Sequence, residues 1–124
     1  MIEWKELIKC IEKLKELPNG SGSEIEFYYQ GTEYVICSYK DSCDIQKASY
    51  VELGQVGELT CTDETVYTYS SLQELGKAKD IGFSVEECWP AFEEVCIKPD
   101  FDDRPFDEIY NAYKEVSDRW KDKK

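Results

Sequence analysis

The chain contains no histidine, and this absence removes the commonest general base and metal ligand of enzymes. Without histidine, neither a Ser-His-Asp nor a Cys-His catalytic arrangement can be built. No Cys-x-x-Cys pair, Walker-type phosphate loop or Gly-x-Gly-x-x-Gly motif occurs, and the cysteine spacings are poor for zinc. The sequence therefore predicts a non-enzymatic protein with no cofactor and no metal.

Long hydrophobic runs are also missing, and none approaches the length of a transmembrane helix. The first residues, MIEWKELIKC, lack the apolar stretch of a signal peptide. The six cysteines are even in number, which would suit the disulfide framework of a secreted protein. However, a chain of 124 residues can bury a core without such bridges, and several cysteines fall at apolar positions. We therefore expect reduced thiols and a cytoplasmic protein.

Acidic residues dominate the charge, with 27 Asp and Glu against 15 Lys and Arg and a net charge of −12. The excess lies in the middle of the chain, since residues 41–103 hold 15 acids and four lysines. Such a field repels nucleic acid and anionic membranes and attracts basic surfaces. We therefore expect no direct nucleic-acid binding, no membrane binding, and a basic protein as the partner.

The hydrophobic pattern predicts an α+β fold in a single domain, residues 1–124. Residues 2–17 carry apolar side chains at helical spacing, and further strands are predicted in SYVEL, ELTCT and TVYTY. Residues 41–46 are predicted to form a polar loop. We expect an antiparallel four- to five-stranded meander, with an N-terminal helix and two to three C-terminal helices packed on one face.

The last part of the chain carries helix signals. The spacings of Ser71 to Glu74 and of Ser84 to Glu87 both fit the capping box, which predicts two helix starts. Pro105 suits the first residue of a final helix. Its apolar stripe is expected to be core: Phe106, Ile109, Tyr110, Tyr113, Val116 and Trp120. Between these helices, Cys96 and Ile97 indicate a short extended piece.

The stretch EIEFYYQGTEYVICSYK, residues 24–40, predicts a hairpin around a Gln-Gly turn. The register that follows from this turn defines a core face: Ile25, Phe27, Tyr29, Thr32, Tyr34 and Ile36. The opposite face interleaves acids with tyrosines, and its predicted partner-binding residues are Glu24, Glu26, Tyr28, Glu33 and Tyr39. Tyrosine favours protein interfaces because it offers contact area and a hydroxyl at little entropic cost. The alternative is that this face is covered by helices or simply solvated.

A second acidic patch is predicted at Asp100, Asp102 and Asp103. A calcium loop of the EF-hand type does not fit, because Arg104 replaces an oxygen ligand and no glycine follows. Acids near the start of a helix also complement its dipole, which is the simpler explanation of this cluster.

Three stretches of the chain, ELPNGSGSE, IEFYYQGTEYVI and SLQELGKAKDIGFSVEECW, resemble a group of small proteins from bacteriophages and mobile elements of Gram-positive gut bacteria. In that group a first helix ends in a Pro-x-Gly turn, and an IxFxYxGxxYxI hairpin follows. Residues 40–62 and the last helix lie outside the pattern. The resemblance implies a phage setting, which favours counter-defence proteins, and it implies no catalytic residue.

These observations predict an acidic protein-interaction module. Its expected task is to inhibit a basic, nucleic-acid-handling host protein by nucleic-acid mimicry, as anti-CRISPR and other counter-defence proteins do. One alternative is an immunity protein that neutralises a toxin, for example a nuclease. Another is a small-ligand binder or enzyme with a pocket between the sheet and the helices.

Overall fold

A computed structural model describes residues 1–53, 56–60 and 66–122, with side chains described for residues 1–48 and 66–120. The elements in chain order are α1 (Trp4–Leu14), β1 (Ser23–Tyr29), β2 (Thr32–Ser38), β3 (Cys43–Leu53), β4 (Val56–Thr60), β5 (Tyr67–Tyr69), α2 (Leu72–Lys77), α3 (Val85–Cys88), a 3-10 turn (Trp89–Ala91), β6 (Glu93–Lys98) and α4 (Phe106–Asp122). The predicted α+β class is therefore confirmed. None of the described helices is long and apolar enough to cross a membrane.

The hairpin has the predicted register. Gln30 and Gly31 have φ values of 51° and 79°, and positive φ at both central residues is the geometry of a type I′ turn. Tyr29 then pairs with Thr32, and the antiparallel register continues along both strands without interruption. Ile25 and its cross-strand partner Ile36 are among the most buried residues of the protein. The apolar alternation and the turn chemistry thus favour the same register.

Five strands form a continuous order, β4–β3–β2–β1–β6, and the short β5 pairs with β3 as a sixth. Two features differ from the predicted meander. Strand β3 begins at Cys43, so most of the predicted polar loop over residues 41–46 belongs to the sheet. The extended piece predicted at Cys96 and Ile97 is β6, which pairs antiparallel with β1 at the end of the sheet order. The predicted connection through Asp63 and Glu64 lies outside the described residues.

Every described helix contributes a buried side chain to a single cluster on the core face of the sheet. Phe27 stacks on Phe92 with ring centroids 4.0 Å apart, and Phe83 packs edge-on against Phe92. Tyr34 also packs against Phe83, at 5.0 Å. Aromatic rings therefore pack between the sheet and the helices at this point.

Helix α1 is held by its apolar side, with Leu7 and Ile11 fully buried. It ends at Leu14, three residues before the predicted end, yet Leu17 still packs against the core. The chain turns back at Gly20, where a Cβ atom would lie 1.7 Å from the carbonyl oxygen of Leu14. Only glycine fits this close return of the backbone over the helix end.

Both predicted caps are formed. The hydroxyl of Ser71 accepts the N–H of Glu74 at 3.2 Å, and the hydroxyl of Ser84 accepts the N–H of Glu87 at 3.3 Å. The buried Ser84 hydroxyl also donates to the carbonyl of Gly76 at 2.7 Å, which ties the end of α2 to the start of α3. Helix α3 is short because the chain passes into the 3-10 turn that contains Pro90.

Helix α2 lies directly against α1 at a glycine. A Cβ atom on Gly76 would lie 2.6 Å from the indole nitrogen of Trp4. The Trp4 ring is itself held against Trp89, with centroids 5.3 Å apart. Gly76 therefore sets how closely the two helices approach.

The apolar stripe of α4 is core over only part of its length. Ile109 is 1% exposed, and Tyr113 packs against the core cluster. Toward the end of the helix, Val116 is 37% and Trp120 is 58% exposed, so the prediction that the whole stripe is core is wrong. Helical spacing defines one side of a helix, but it does not define where the neighbouring elements end.

No disulfide joins the described cysteines, which are Cys10, Cys37, Cys43, Cys88 and Cys96. Cys61 lies outside the described residues. Cys43 is 1% exposed on the core face, and its burial raises the pKa of the thiol to about 11. At neutral pH this residue is therefore a small apolar core side chain.

Candidate protein-interaction site

The predicted contact residues of the hairpin lie on the side of the sheet that faces away from the helices. Tyr28 is paired directly with Glu33, and Glu24 and Glu26 alternate along β1 with the buried core residues. All four of these side chains are half-buried. The fifth, Tyr39, follows the end of β2 and is 48% exposed. The structure thus brings together all five predicted residues of this surface.

Neighbouring strands extend this surface, because β6 lies beside β1 and β3 lies beside β2. Three rows of paired residues cross the sheet from β6 to β3: Lys98–Glu24–Cys37–Asp44, Cys96–Glu26–Val35–Gln46 and Glu93–Tyr28–Glu33–Ala48. We call this surface the acidic face and define it by Glu24, Glu26, Tyr28, Glu33, Tyr39 and Asp44. The rows also bring one cation, Lys98, beside its carboxylates.

Sequence reasoning missed two residues here, Asp44 of the acidic face and the adjacent cation Lys98. Asp44 fell in the predicted polar loop, and Lys98 directly followed a short extended piece, Cys96 and Ile97, that had no assigned partner strand. A signal for β3 was present, because Cys43 and Ile45 alternate with polar residues at the period of a strand. For Lys98 the chain holds no comparable local signal, since its place beside Glu24 depends on pairing between distant segments.

The surroundings of Glu26 stabilise the ionised form of its carboxyl poorly. Its partly buried position raises the pKa of its carboxyl, and the hydrogen bond and negative charge of Glu24 raise it further. Glu33 shifts the pKa in the same direction, whereas Lys98 lowers it. A further cation beside Glu26 would therefore stabilise the ionised form.

The two tyrosines are hydrogen-bonded to acids of the same face. The hydroxyl of Tyr28 donates to Glu33 Oε2 at 3.3 Å, and the charge of Glu33 is the main cause that raises the pKa of Tyr28. Burial raises the pKa of Asp44, and a hydrogen bond with Tyr39 opposes that shift. Both phenols therefore remain protonated donors at neutral pH, and they orient carboxylates at the surface.

A small apolar floor lies between these polar groups. Val35 and Ala48 are each 4% exposed, and both are outside the core cluster on the opposite side of the sheet. Val35 sits in the row of Glu26, and Ala48 sits in the row of Glu33. The apolar neighbours limit the access of water to the carboxylates, which strengthens any interaction the carboxylates make with a charged partner.

The second predicted patch lies beside β6. Asp100, Asp102 and Asp103 line a groove of about 320 Å³ together with four consecutive residues of that strand. Asp102 accepts the backbone N–H of Ile2 at 2.6 Å, and Asp100 accepts the N–H of Asp103 at 3.1 Å. Asp100 thus holds the local turn, and Asp102 joins this loop to the start of the chain. Because Lys98 belongs both to this groove and to the rows of the acidic face, the two patches adjoin.

No group of three or more His, Cys, Asp or Glu side chains in the described ranges is arranged to hold a metal ion. Comparison of the chain with protein families, with curated proteins and with solved structures gave no match. The assignment of function therefore depends on the geometry and the charge of this chain alone.

Proposed function

We propose that the protein is an acidic, non-enzymatic interaction module that inhibits a basic nucleic-acid-handling protein, in the manner of anti-CRISPR and other counter-defence inhibitors that mimic nucleic acid. The observation that carries this proposal is the acidic face, where carboxylates from three strands are crowded beside one lysine. This surface is rigid because the opposite side of the same strands is the protein core.

The mechanism is competition for a groove lined by Lys and Arg. Carboxylates on the sheet occupy the positions of phosphate groups, with a spacing of about 4.8 Å between strands and about 6.7 Å between alternate residues of one strand. A cationic groove that binds phosphates gains much of its affinity from charge, so a comparable array of carboxylates competes for it. Tyr28 and Tyr39 add contact area and hydrogen bonds, which give specificity beyond charge.

The expected contribution of each acid to partner binding follows from the interactions that it already makes within the protein. On the acidic face, Glu26 and Asp44 have raised pKa values and gain from a cationic partner. Asp100 already accepts a backbone hydrogen bond within its own loop, and Asp102 accepts one from Ile2, so both acids provide secondary contacts at the border of the interface.

The proposal is tested by affinity capture from a lysate of a Gram-positive gut bacterium, followed by measurement with the purified partner. The test variant is the double reversal Glu24→Lys/Glu33→Lys. The matched control is Glu3→Lys/Asp118→Lys, which changes the net charge equally at two exposed acids outside the acidic face. We expect the test variant to lose at least about tenfold in affinity, because close charge pairs at interfaces contribute more than 1.4 kcal/mol.

Salt and nucleic acid complete the test. Affinity for the partner should fall steeply with salt, and nucleic acid should compete with the module for the partner. If the test and control variants lose affinity equally, the effect comes from net charge alone, and this result would contradict the assignment of the binding site to the acidic face. A toxin as the captured partner would assign the same face to toxin immunity.

A further inference from the structure

A second charged region lies on the helix side of the molecule. Helices α1 and α2 enclose a surface groove of about 290 Å³. Its lining consists of Lys5, Ile8, Lys9, Gln73, Lys77 and Glu86. We call this region the lysine groove. Three lysines thus line one concavity in a protein whose net charge is −12.

The positions of these lysines are set by packing. Lys5 and Lys9 are one helical turn apart on α1, and Lys77 is the last residue of α2. The contact between Gly76 and the Trp4 ring fixes the approach of the two helices at the residue directly before Lys77. The groove is therefore bounded by helices that the core holds in place.

The three lysines of the groove differ from Lys13 and Lys15, at the end of α1, in their partners. Lys13 and Lys15 lie 3.6 Å and 3.3 Å from carboxylate oxygens of Glu16 and Glu12. For Lys5, Lys9 and Lys77, no described carboxylate oxygen lies within 4.0 Å. Glu86 is the single acid among the six lining residues. Lysines therefore outnumber acids by three to one in the lining of the groove, with Glu6 beside Lys9 and Glu3 beside Lys5 in adjoining grooves.

We propose that the lysine groove binds a small ligand through a phosphate or diphosphate group, with Lys5, Lys9 and Lys77 as the cationic donors. Lysine ammonium groups are common phosphate ligands, and the amide of Gln73 offers a further donor. The volume lies at the lower end of small-molecule sites, which suits a phosphoryl group with a modest attached moiety. Ile8, 7% exposed, provides an apolar contact at the base of the groove.

Electrostatic range favours a small ligand over a nucleic acid. Charges farther away than about 8 Å are largely screened at physiological ionic strength, so a small anion in the groove interacts mainly with the nearby lysines. A long polyanion would also extend over other surfaces of a protein with net charge −12, and these surfaces repel it. The lysine groove and the acidic face lie on opposite sides of the sheet, so this proposal does not depend on the proposed function.

The test is a titration of the full ¹⁵N-labelled chain with sodium pyrophosphate, with sodium chloride adjusted to keep the ionic strength constant. We expect saturable amide shifts at Lys5, Lys9, Gln73 and Lys77. The variant Lys9→Gln/Lys77→Gln should weaken binding by about tenfold or more. A hydrogen bond that involves a charged group contributes more to the binding free energy than a hydrogen bond between neutral groups. Lys9→Arg/Lys77→Arg should retain most of the affinity, because it keeps both charges.

The control is Lys114→Gln, which removes one exposed lysine of α4 and should bind pyrophosphate like the unaltered protein. Shifts that chloride alone reproduces would overturn the proposal, and so would unchanged affinity in Lys9→Gln/Lys77→Gln. Tighter binding of a single-stranded oligodeoxynucleotide than of pyrophosphate at the same ionic strength would also overturn it, because the groove would then serve a nucleic acid.

Discussion

The two faces of the β1–β2 hairpin consist of alternate residues of the same strands, yet they have opposite requirements. Ile25 and Phe27 are 1% and 0% exposed and pack against the helices, whereas Glu24 and Glu26, which alternate with them, are half-buried on the acidic face. The core face gains stability from close packing. The acidic face crowds like charges, and burial together with the neighbouring Glu24 raises the pKa of Glu26. One strand thus provides both the stability of the fold and a charged surface that gains from a partner.

The largest expected effect comes from removing a ring on the core face. Phe27→Ala should destabilise the protein by about 3–5 kcal/mol, because it leaves a cavity beside the stacked ring of Phe92. Urea denaturation followed by circular dichroism measures this change. The control on the other face, Glu24→Ala, should stay within about 0.5 kcal/mol of the unaltered protein. Comparable losses in the two variants would show that the acidic face is also a packing surface.

A smaller loss is expected where the helix layer is tightest. Gly76→Ala should cost about 1–3 kcal/mol, because the added methyl group meets the indole of Trp4. Trp4→Phe in the same chain should recover part of that loss by making room. A double-mutant cycle measured by thermal unfolding tests this coupling, and strict additivity of the two changes would contradict the contact.

The acidic face should respond to single charges in opposite directions. Lys98→Gln removes the cation that competes with a basic partner, so we expect affinity for the captured partner to rise by about twofold to fivefold. Glu26→Gln should lower that affinity by a similar factor. Both values come from calorimetric titration at one salt concentration. Weaker binding in both variants would indicate that Lys98 contacts the partner itself.

The smallest effect concerns pH. The pKa of Glu26 is higher in the folded protein than in the unfolded chain, so its stabilising contribution is present at acidic pH and is lost as the pH rises through the folded value. Glu26→Gln should therefore be slightly more stable than the unaltered protein at pH 7, with a free energy of unfolding that is higher by no more than about 0.5 kcal/mol. Thermal unfolding measures this difference as a slightly higher unfolding temperature. Near pH 3, where the carboxyl is protonated in both states, the difference should vanish. A larger gain at pH 3 than at pH 7 would contradict this sign.

The features that could be predicted from the sequence depend on residues that are close together in the chain. Gln30 and Gly31 determine the turn, the apolar alternation determines the register, and the hydroxyls of Ser71 and Ser84 mark two helix starts. For these features the signal and the structure lie within a few residues of each other. The five hairpin members of the acidic face could be found in this way.

What was missed depends on contacts between distant segments. Strand β6 joins the sheet because Lys98 pairs with Glu24 and Cys96 pairs with Glu26, both far earlier in the chain. The polar composition around Asp44 hid the alternation of β3. For α4, helical spacing placed Trp120 in the apolar stripe, but the ring extends beyond the elements that bury Ile109. Tertiary context decides each of these points.

The hydroxyl of Ser84 joins two helices that would be marginal alone, since α2 has six residues and α3 has four. It accepts the N–H of Glu87 and donates to the carbonyl of Gly76. One oxygen therefore makes the opening of either helix depend on the other, and amide hydrogens of both segments should exchange with solvent as one cooperative unit. The two helices then behave as one unit, which keeps the wall of the lysine groove in place for as long as both helices remain folded.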